Sequence, residues 1–266
     1  MMLTPDQFGT LSALVHRSSG IHLHQGKLGL VQSRLAGRLR ELDTCDVDVY
    51  LAGLAAPGGE VEVARLVDAL TTNKTGFFRE PQHFTLLRSL LPELHQGGRR
   101  LTVWSAGCSS GEEAYTLALV LAEAIGTDAD IRILATDISA RMIERARAAI
   151  YTEDAIEPVH PLLRQRWFRC VQPRHPRSYE IAPEVRNLVR FARLNLMGPW
   201  PMRGTFDLIC CRNVMIYFDK ATQQTLVQRF AEKLRPGGYL FTGHSESLAG
   251  LEHTFHYVRP AVYQRM

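Results

Sequence analysis

Several large classes of protein are excluded by what this sequence lacks. No stretch approaches the roughly 20 consecutive apolar residues that a membrane-spanning helix needs. The amino-terminal MMLTPDQFGT has no basic stretch followed by an apolar run, so no secretory leader is expected and the expected compartment is the cytoplasm. The cysteines, Cys45, Cys108, Cys170, Cys210 and Cys211, form no C-x-x-C pair, which argues against both a disulfide framework and a zinc ribbon. His22 with His24, and His253 with His256, have ligand-like spacing. No cysteine or carboxylate cluster completes either set, and no metal is expected. There is no internal repeat and no low-complexity tract.

What is present is ordinary globular composition. The chain has 266 residues, 45% hydrophobic and 22% charged, enough for one large domain and a small one. Its net charge of +4 is mildly basic and favours an acidic partner surface. Residues 1–70 read as an all-α domain, because apolar positions recur three and four apart and nothing alternates with period two. Over 26–42, Leu28, Val31, Leu35, Leu39 and Leu42 form one stripe and Lys27, Arg34 and Arg38 a neighbouring one, which predicts an amphipathic basic helix. Residues 71–98 read as a linker that opens the functional site.

From residue 99 the pattern becomes α/β. Short apolar runs at 101–107, 131–137, 188–196, 206–213 and 238–245 read as strands, mostly parallel, with helices at 111–125, 139–150 and 220–234. Residues 255–265 read as a closing antiparallel strand. The Pro- and Arg-rich stretch 151–187 breaks the alternation, and a small antiparallel β insertion is expected at about 165–193.

The loop Ala106-Gly107-Cys108-Ser109-Ser110-Gly111-Glu112-Glu113 follows the first strand and enters a helix, so backbone can approach a ligand there. The pyrophosphate spacing G-x-G-x-x-G of nicotinamide enzymes is missing, since only Gly107 and Gly111 are present. Glu112 and Glu113 would repel a diphosphate but receive a cationic group, which favours S-adenosylmethionine. Asp137, ending the second strand, stands where an acid takes ribose hydroxyls. TTNKTGFFRE (71–80) and CRNVMIYF (211–218) place polar residues beside aromatics, as suits a ligand that is part apolar and part charged.

TTNKTGFFRE, VWSAGCSSGEEAY, ATDISARMIERAR, CRNVMIYFDKATQQ and PGGYLFTGHSESL resemble, in order, the sequence blocks of the CheR family of chemotaxis receptor glutamate O-methyltransferases. The resemblance implies a Rossmann-like methyltransferase domain with a three-stranded antiparallel insertion behind a helical N-terminal domain. It implies an S-adenosylmethionine site lined by Asn73, Thr75, Arg79, Gly107, Glu113, Asp137, Asn195, Leu196, Arg212 and Asn213, with Glu112 and Glu113 left open as to which faces the ligand. Arg79 and Tyr217 match the family positions nearest the transferred methyl and are the catalytic expectation. The basic helix, through Lys27, Arg34 and Arg38, matches the face that meets the cytoplasmic domain of a chemoreceptor, although Gly37 interrupts it. In some members the insertion also holds the receptor's C-terminal peptide, and Pro173, Pro176 and Arg177 leave that open here. A monomer is expected.

Other classes fit less well. Methylation of base amino groups uses a Pro-Pro turn after the fourth strand, where this chain has Arg212-Asn213-Val214, so no nucleic-acid partner is expected. Cys210 and Cys211 lie in an apolar run and read as packing residues rather than nucleophiles. A binding module without activity would not need Arg79, Asp137 and Tyr217 together.

Overall fold

The computed structural model describes residues 2–266. Four helices come first: α1 (Pro5–Ser19), α2 (Leu28–Glu41), α3 (Val47–Ala55) and α4 (Glu60–Leu70). Thr4 starts α1 with a reciprocal cap, its hydroxyl accepting from the Gln7 amide while the Gln7 side chain accepts from the Thr4 amide. Gly20, at φ 76°, ends it. Helix α2 starts at Leu28 after a single tight turn and buries Val31, Leu35 and Leu39, each stabilising by roughly 1.5–3 kcal/mol. Leu42, expected on the same stripe, lies past the helix end and is 42% exposed.

The rest of the chain contains α5 (Gln82–Leu94), β1 (Leu101–Ala106), α6 (Glu112–Ile125), β2 (Ile131–Asp137) and α7 (Ala140–Ala148). There follow β3 (Ile150–Thr152), α8 (Glu153–Ile156), α9 (Pro161–Trp167), β4 (Phe168–Gln172), β5 (Ser178–Ile181) and α10 (Pro183–Arg186). Last come β6 (Val189–Arg193), β7 (Phe206–Cys211), α11 (Lys220–Lys233), β8 (Leu234–Thr242), β9 (Phe255–Arg259) and β10 (Val262–Arg265). The large sheet has the order β6-β2-β1-β7-β8-β10-β9, parallel from β6 to β8 and antiparallel at β10 and β9. The chain runs outward from β1 through β2 to β6 and then returns to β7, so the order reverses between β1 and β7. A crevice opens at the carboxyl ends of those two strands.

Two expectations are corrected. Residues 255–265 form a hairpin rather than one strand, because Pro260 cannot donate to a ladder and Ala261 turns the chain at φ 62°. The small antiparallel sheet, order β3-β5-β4, draws its first strand from 150–152, before the expected insertion. Residues 189–193, within the expected insertion, instead lie beside β2 in the large sheet, where Val189 pairs with Ile133.

Strand β1 alternates between two apolar layers. Trp104 is fully buried against Trp200, Phe206 and Phe230 on one face, and its indole N–H donates to the Thr136 hydroxyl at 2.9 Å. Leu101 and Val103 pack with Leu87, Leu117 and Phe241 on the other. The first layer is continuous with the core of the helical domain, so the two parts share one apolar interior. Ile21 pairs as a bridge with Phe218, and the Tyr217 carbonyl accepts from the His22 amide at 2.8 Å. Among the described residues no helix is long and apolar enough to cross a membrane.

Candidate active site

The crevice at the β1/β7 reversal is a cleft of about 1210 Å³ including its open mouth. It is lined from below by the ends of β1, β2 and β7 and from above by the helical domain. Gly107 follows β1 at φ 90°, and a Cβ there would overlap the Cγ2 of Val214 in the loop after β7. Both facts require glycine, for conformation and for close approach. Asp137 ends β2 and is 8% exposed. One of its oxygens accepts from the Ser109 amide at 2.8 Å and the other from the Ser139 amide at 2.9 Å. Burial raises its carboxyl above the ordinary range against those two bonds, and each oxygen keeps a lone pair for a ligand hydroxyl.

Glu113, in the first turn of α6, faces the cleft, whereas Glu112 turns away to the Ser110 hydroxyl at 2.8 Å. The Glu113 carboxylate accepts from Ser105 Oγ at 2.7 Å and from Arg212 Nη1 at 3.0 Å. Arg212, whose side chain is 3% exposed, also holds Glu80, with Nη2 at 3.0 Å from Oε2, and donates to the Arg79 carbonyl. Its guanidinium lies over the Phe84 ring. One guanidinium therefore faces two carboxylates, which leaves the floor with surplus negative charge. Burial raises the Glu113 carboxyl in spite of Arg212. For Glu80 burial also pushes upward, but the charge and hydrogen bonds of Arg212 outweigh it and leave that carboxyl below its ordinary value.

The rim has the opposite sign. Lys27, Lys74 and Arg79 line the mouth. The Arg79 guanidinium is exposed and donates to the Lys74 carbonyl at 2.9 Å. Tyr217 reaches over the mouth, its hydroxyl 3.4 Å from the Thr72 carbonyl. Lys27 sits above the Tyr217 ring, and burial lowers its ammonium pKa from the usual lysine value. Asn73 and Thr75 line the same wall, and the Asn73 carbonyl accepts from Ser109 Oγ at 3.1 Å, tying the linker to the glycine loop.

All the residues expected around a cofactor, Asn73, Thr75, Arg79, Gly107, Glu113, Asp137, Asn195, Leu196, Arg212 and Asn213, line this one cleft. Their free chemistry differs. Asn195 is largely committed, its Nδ2 donating to the Ser18 carbonyl at 2.6 Å and its Oδ1 accepting from the Met197 amide at 3.0 Å. Arg212 is a clamp on the floor with little left for a ligand. Of the three basic residues expected to face a partner, Lys27 is at the cleft mouth and Arg34 is exposed on α2, but Arg38 is not free. Its guanidinium makes two bonds to Glu62, at 2.6 and 2.5 Å, and one to Glu41, which fastens α2 to α4. The spacing that grouped Arg38 with Arg34 carried no information about Glu62 on another helix.

Two parts of the site were missed from sequence. Ile21, Leu23 and Leu70 of the helical domain form the apolar roof, a contribution without any local motif. Glu246, 6% exposed, accepts from the amides of Asn213 at 2.7 Å, Gly243 at 2.6 Å and Ile216 at 3.1 Å, and so fixes the loop that carries Arg212 and Tyr217. Its signal was an acid in the block after β8, read only as part of a resemblance.

An apolar roof, an acidic floor and a carboxylate at the β2 end suit a ligand with an apolar face, a sugar and a cationic group. The comparisons with known proteins agree. The family model for the CheR methyltransferase all-alpha domain matches residues 6–71, and that for the CheR methyltransferase SAM binding domain matches residues 73–263. A probable chemotaxis protein methyltransferase of Rhizobium etli is 40% identical over 258 residues, 94% of this chain and 96% of that protein. Chemotaxis protein methyltransferase 2 of Pseudomonas aeruginosa is 39% identical over 262 residues, 98% of this chain and 93% of that one. The chemotaxis protein methyltransferase of Escherichia coli is 38% identical over 257 residues, 96% of this chain and 89% of its own length. With both family domains matched in tandem and relatives aligned over nearly its whole length, the chain belongs to the CheR methyltransferase family and is an S-adenosylmethionine-dependent methyltransferase.

Proposed function

We propose that this chain methylates glutamate side chains in the cytoplasmic domain of a bacterial chemoreceptor, giving glutamate methyl esters and S-adenosylhomocysteine, and that it works in the cytoplasm as a monomer. The observation that carries the reading is the division of charge in the cleft. Glu113 and Asp137 make the floor acidic, as suits a cationic cofactor, while Lys27, Lys74 and Arg79 make the rim basic, as suits an incoming carboxylate. The relatives' names, chemotaxis protein methyltransferases, support a receptor as the substrate.

Bound S-adenosylmethionine supplies an electrophilic methyl group on a sulfonium sulfur. The protein's task is alignment. A glutamate carboxylate is ionised at neutral pH, its reference pKa being about 4.3, so no residue has to remove a proton. Arg79 holds that carboxylate at the mouth, and the Tyr217 hydroxyl orients it. Attack cancels two opposite charges, so exclusion of water by the roof residues Ile21 and Leu23 favours the step. Asp137 holds the ribose, and Glu113 receives the amino group of the methionine moiety.

Docking falls to the exposed Arg34 on α2 and to Lys27, with Arg38 keeping that helix in place. The outer edge of the small sheet, β4, where Val171 is 47% exposed, is the surface for a receptor C-terminal peptide. Tritiated methyl transfer to receptor cytoplasmic fragments tests the reaction. Mild base should release the label as volatile methanol, and label that stays on the protein would identify an N-methyl product and overturn the ester.

A further inference from the structure

Behind the acidic floor, outside the cleft, three side chains from distant parts of the sequence converge. Glu80 stands just before α5, His83 lies in the first turn of α5 and His244 stands in the loop after β8. Their potential ligand atoms all lie within 4.8 Å of one another. His83 Nδ1 is 3.6 Å from Glu80 Oε2, and His244 Nε2 is 4.0 Å from the same oxygen. The two imidazoles meet edge to face with centroids 5.1 Å apart.

His83 is the residue that requires an explanation. It is 3% exposed, yet neither ring nitrogen has a hydrogen-bond partner among the described residues. A buried imidazole normally satisfies at least one nitrogen, since a buried polar group left unpaired loses its bonds to water without replacement. Its ring is stacked on Phe241 and is not free to turn toward solvent. The surroundings are preorganised too. The His244 amide donates to Glu80 Oε1 at 3.3 Å, and Glu246 pins the preceding residue, Gly243. His244, with its side chain 45% exposed, gives access from solvent.

We propose that Glu80, His83 and His244 form a binding site for a transition-metal dication of the zinc class, and that the ion competes with Arg212 for Glu80. Two imidazole nitrogens and one carboxylate oxygen, with a fourth position open to solvent, is a donor set for zinc rather than for magnesium or calcium, which take mainly oxygen. Closing these atoms onto an ion at roughly 2.0–2.2 Å needs only small side-chain movements. Glu80 Oε2 is also the oxygen that Arg212 holds at 3.0 Å. An ion drawing on that oxygen repels the guanidinium and loosens its grip on Glu113 in the cofactor cleft. The ion's own double charge behind the acidic floor opposes the cofactor's ammonium, so metal and cofactor are negatively coupled, and the coupling is reciprocal.

The test uses the full chain carrying Cys45→Ser and Cys170→Ser, since those two thiols are exposed and would bind zinc themselves. Calorimetric titration with Zn²⁺ alone should show one site, with Mg²⁺ giving no heat. His244→Ala, at an exposed position that leaves the fold intact, should weaken Zn²⁺ binding at least about tenfold, and His83→Gln should do the same. Saturating Zn²⁺ should weaken S-adenosylhomocysteine binding about fivefold in the parent and leave it unchanged in His244→Ala. Zinc binding that survives both substitutions overturns the site. Zinc that binds at the triad without changing S-adenosylhomocysteine affinity overturns the competition with Arg212.

Discussion

The ammonium of Lys27, from the turn before α2, lies 4.9 Å from the centroid of the Tyr217 ring, in the loop after β7. This contact joins the helical domain to the mouth of the cleft, so the ring that covers the mouth is set in part by a residue nearly two hundred positions earlier. Lys27→Ala should lower methyl transfer at saturating cofactor by about fivefold, because it removes a cation–π contact of roughly 1 kcal/mol. Tyr217→Phe keeps that contact and loses only the hydroxyl. If the hydroxyl orients the substrate carboxylate, Tyr217→Phe should lose at least about tenfold in turnover with S-adenosylhomocysteine affinity kept. Normal turnover of Tyr217→Phe would assign the ring alone to the site.

Among the described residues the Arg79 side chain has one hydrogen bond, to the Lys74 carbonyl, and its exposed guanidinium can take up a carboxylate. Arg79→Ala should lower turnover at saturating cofactor by at least about tenfold, or roughly 1.4 kcal/mol of barrier, with a smaller change in S-adenosylhomocysteine affinity. Arg79→Lys should recover part of the loss, since an ammonium keeps the charge without the planar two-pronged contact. If affinity collapses while the single-turnover rate at saturation survives, Arg79 belongs to the cofactor instead of the substrate.

Asp137→Ala should weaken S-adenosylhomocysteine binding by about 1.5–3 kcal/mol in calorimetry, through loss of charge-assisted bonds to the ribose. The same carboxylate receives the Ser109 and Ser139 amides, so the substitution also loosens the glycine loop. Thermal melting without ligand separates the two effects. A folded variant with parental affinity would falsify the role given to Asp137.

Asp207, at the start of β7 and 1% exposed, joins three strands. It accepts from the Thr102 amide at 2.7 Å and from Arg99 at 2.8 Å, and it pairs with Arg235. Burial pushes its carboxyl up, but those hydrogen bonds outweigh it and leave the pKa below the ordinary carboxylate value. A folded-state pKa below the unfolded one gives stability that is full above the unfolded value, about 3.9, and is lost as pH falls through the folded value. Asp207→Asn should therefore destabilise the chain by about 2–4 kcal/mol at neutral pH. The gap between variant and parent in urea titrations should narrow below roughly pH 4. A gap that is constant with pH would point to lost packing rather than lost charge.

Much of the site was legible in the sequence because its residues lie where chain direction changes. Gly107 and Arg212 follow strand ends and Asp137 is one, and in a parallel sheet all strand ends of one polarity open on the same crevice, so motif order alone brings them together. The apolar runs carried the sheet because a strand buried on both faces is mostly apolar, as in β7, where every residue is buried and all but Asp207 are apolar. Periodicity likewise marked α2, whose Val31, Leu35 and Leu39 face the core.

The tertiary structure decided what depends on pairs far apart in the chain. Periodicity made Arg38 a neighbour of Arg34, but Glu62 on another helix takes its charge, and a one-dimensional pattern contains no partner. Glu113 rather than Glu112 faces the cleft, a choice set by the direction in which α6 leaves the glycine loop. The roof from Ile21 and Leu23, the pinning of the β7 loop by Glu246 and the convergence of Glu80, His83 and His244 all join segments that only the folded chain brings within a few ångströms. Composition and spacing determined which elements form and which ends carry chemistry. The closure of the helical domain over those ends came from packing, because apolar side chains are non-specific until a particular surface excludes water from them.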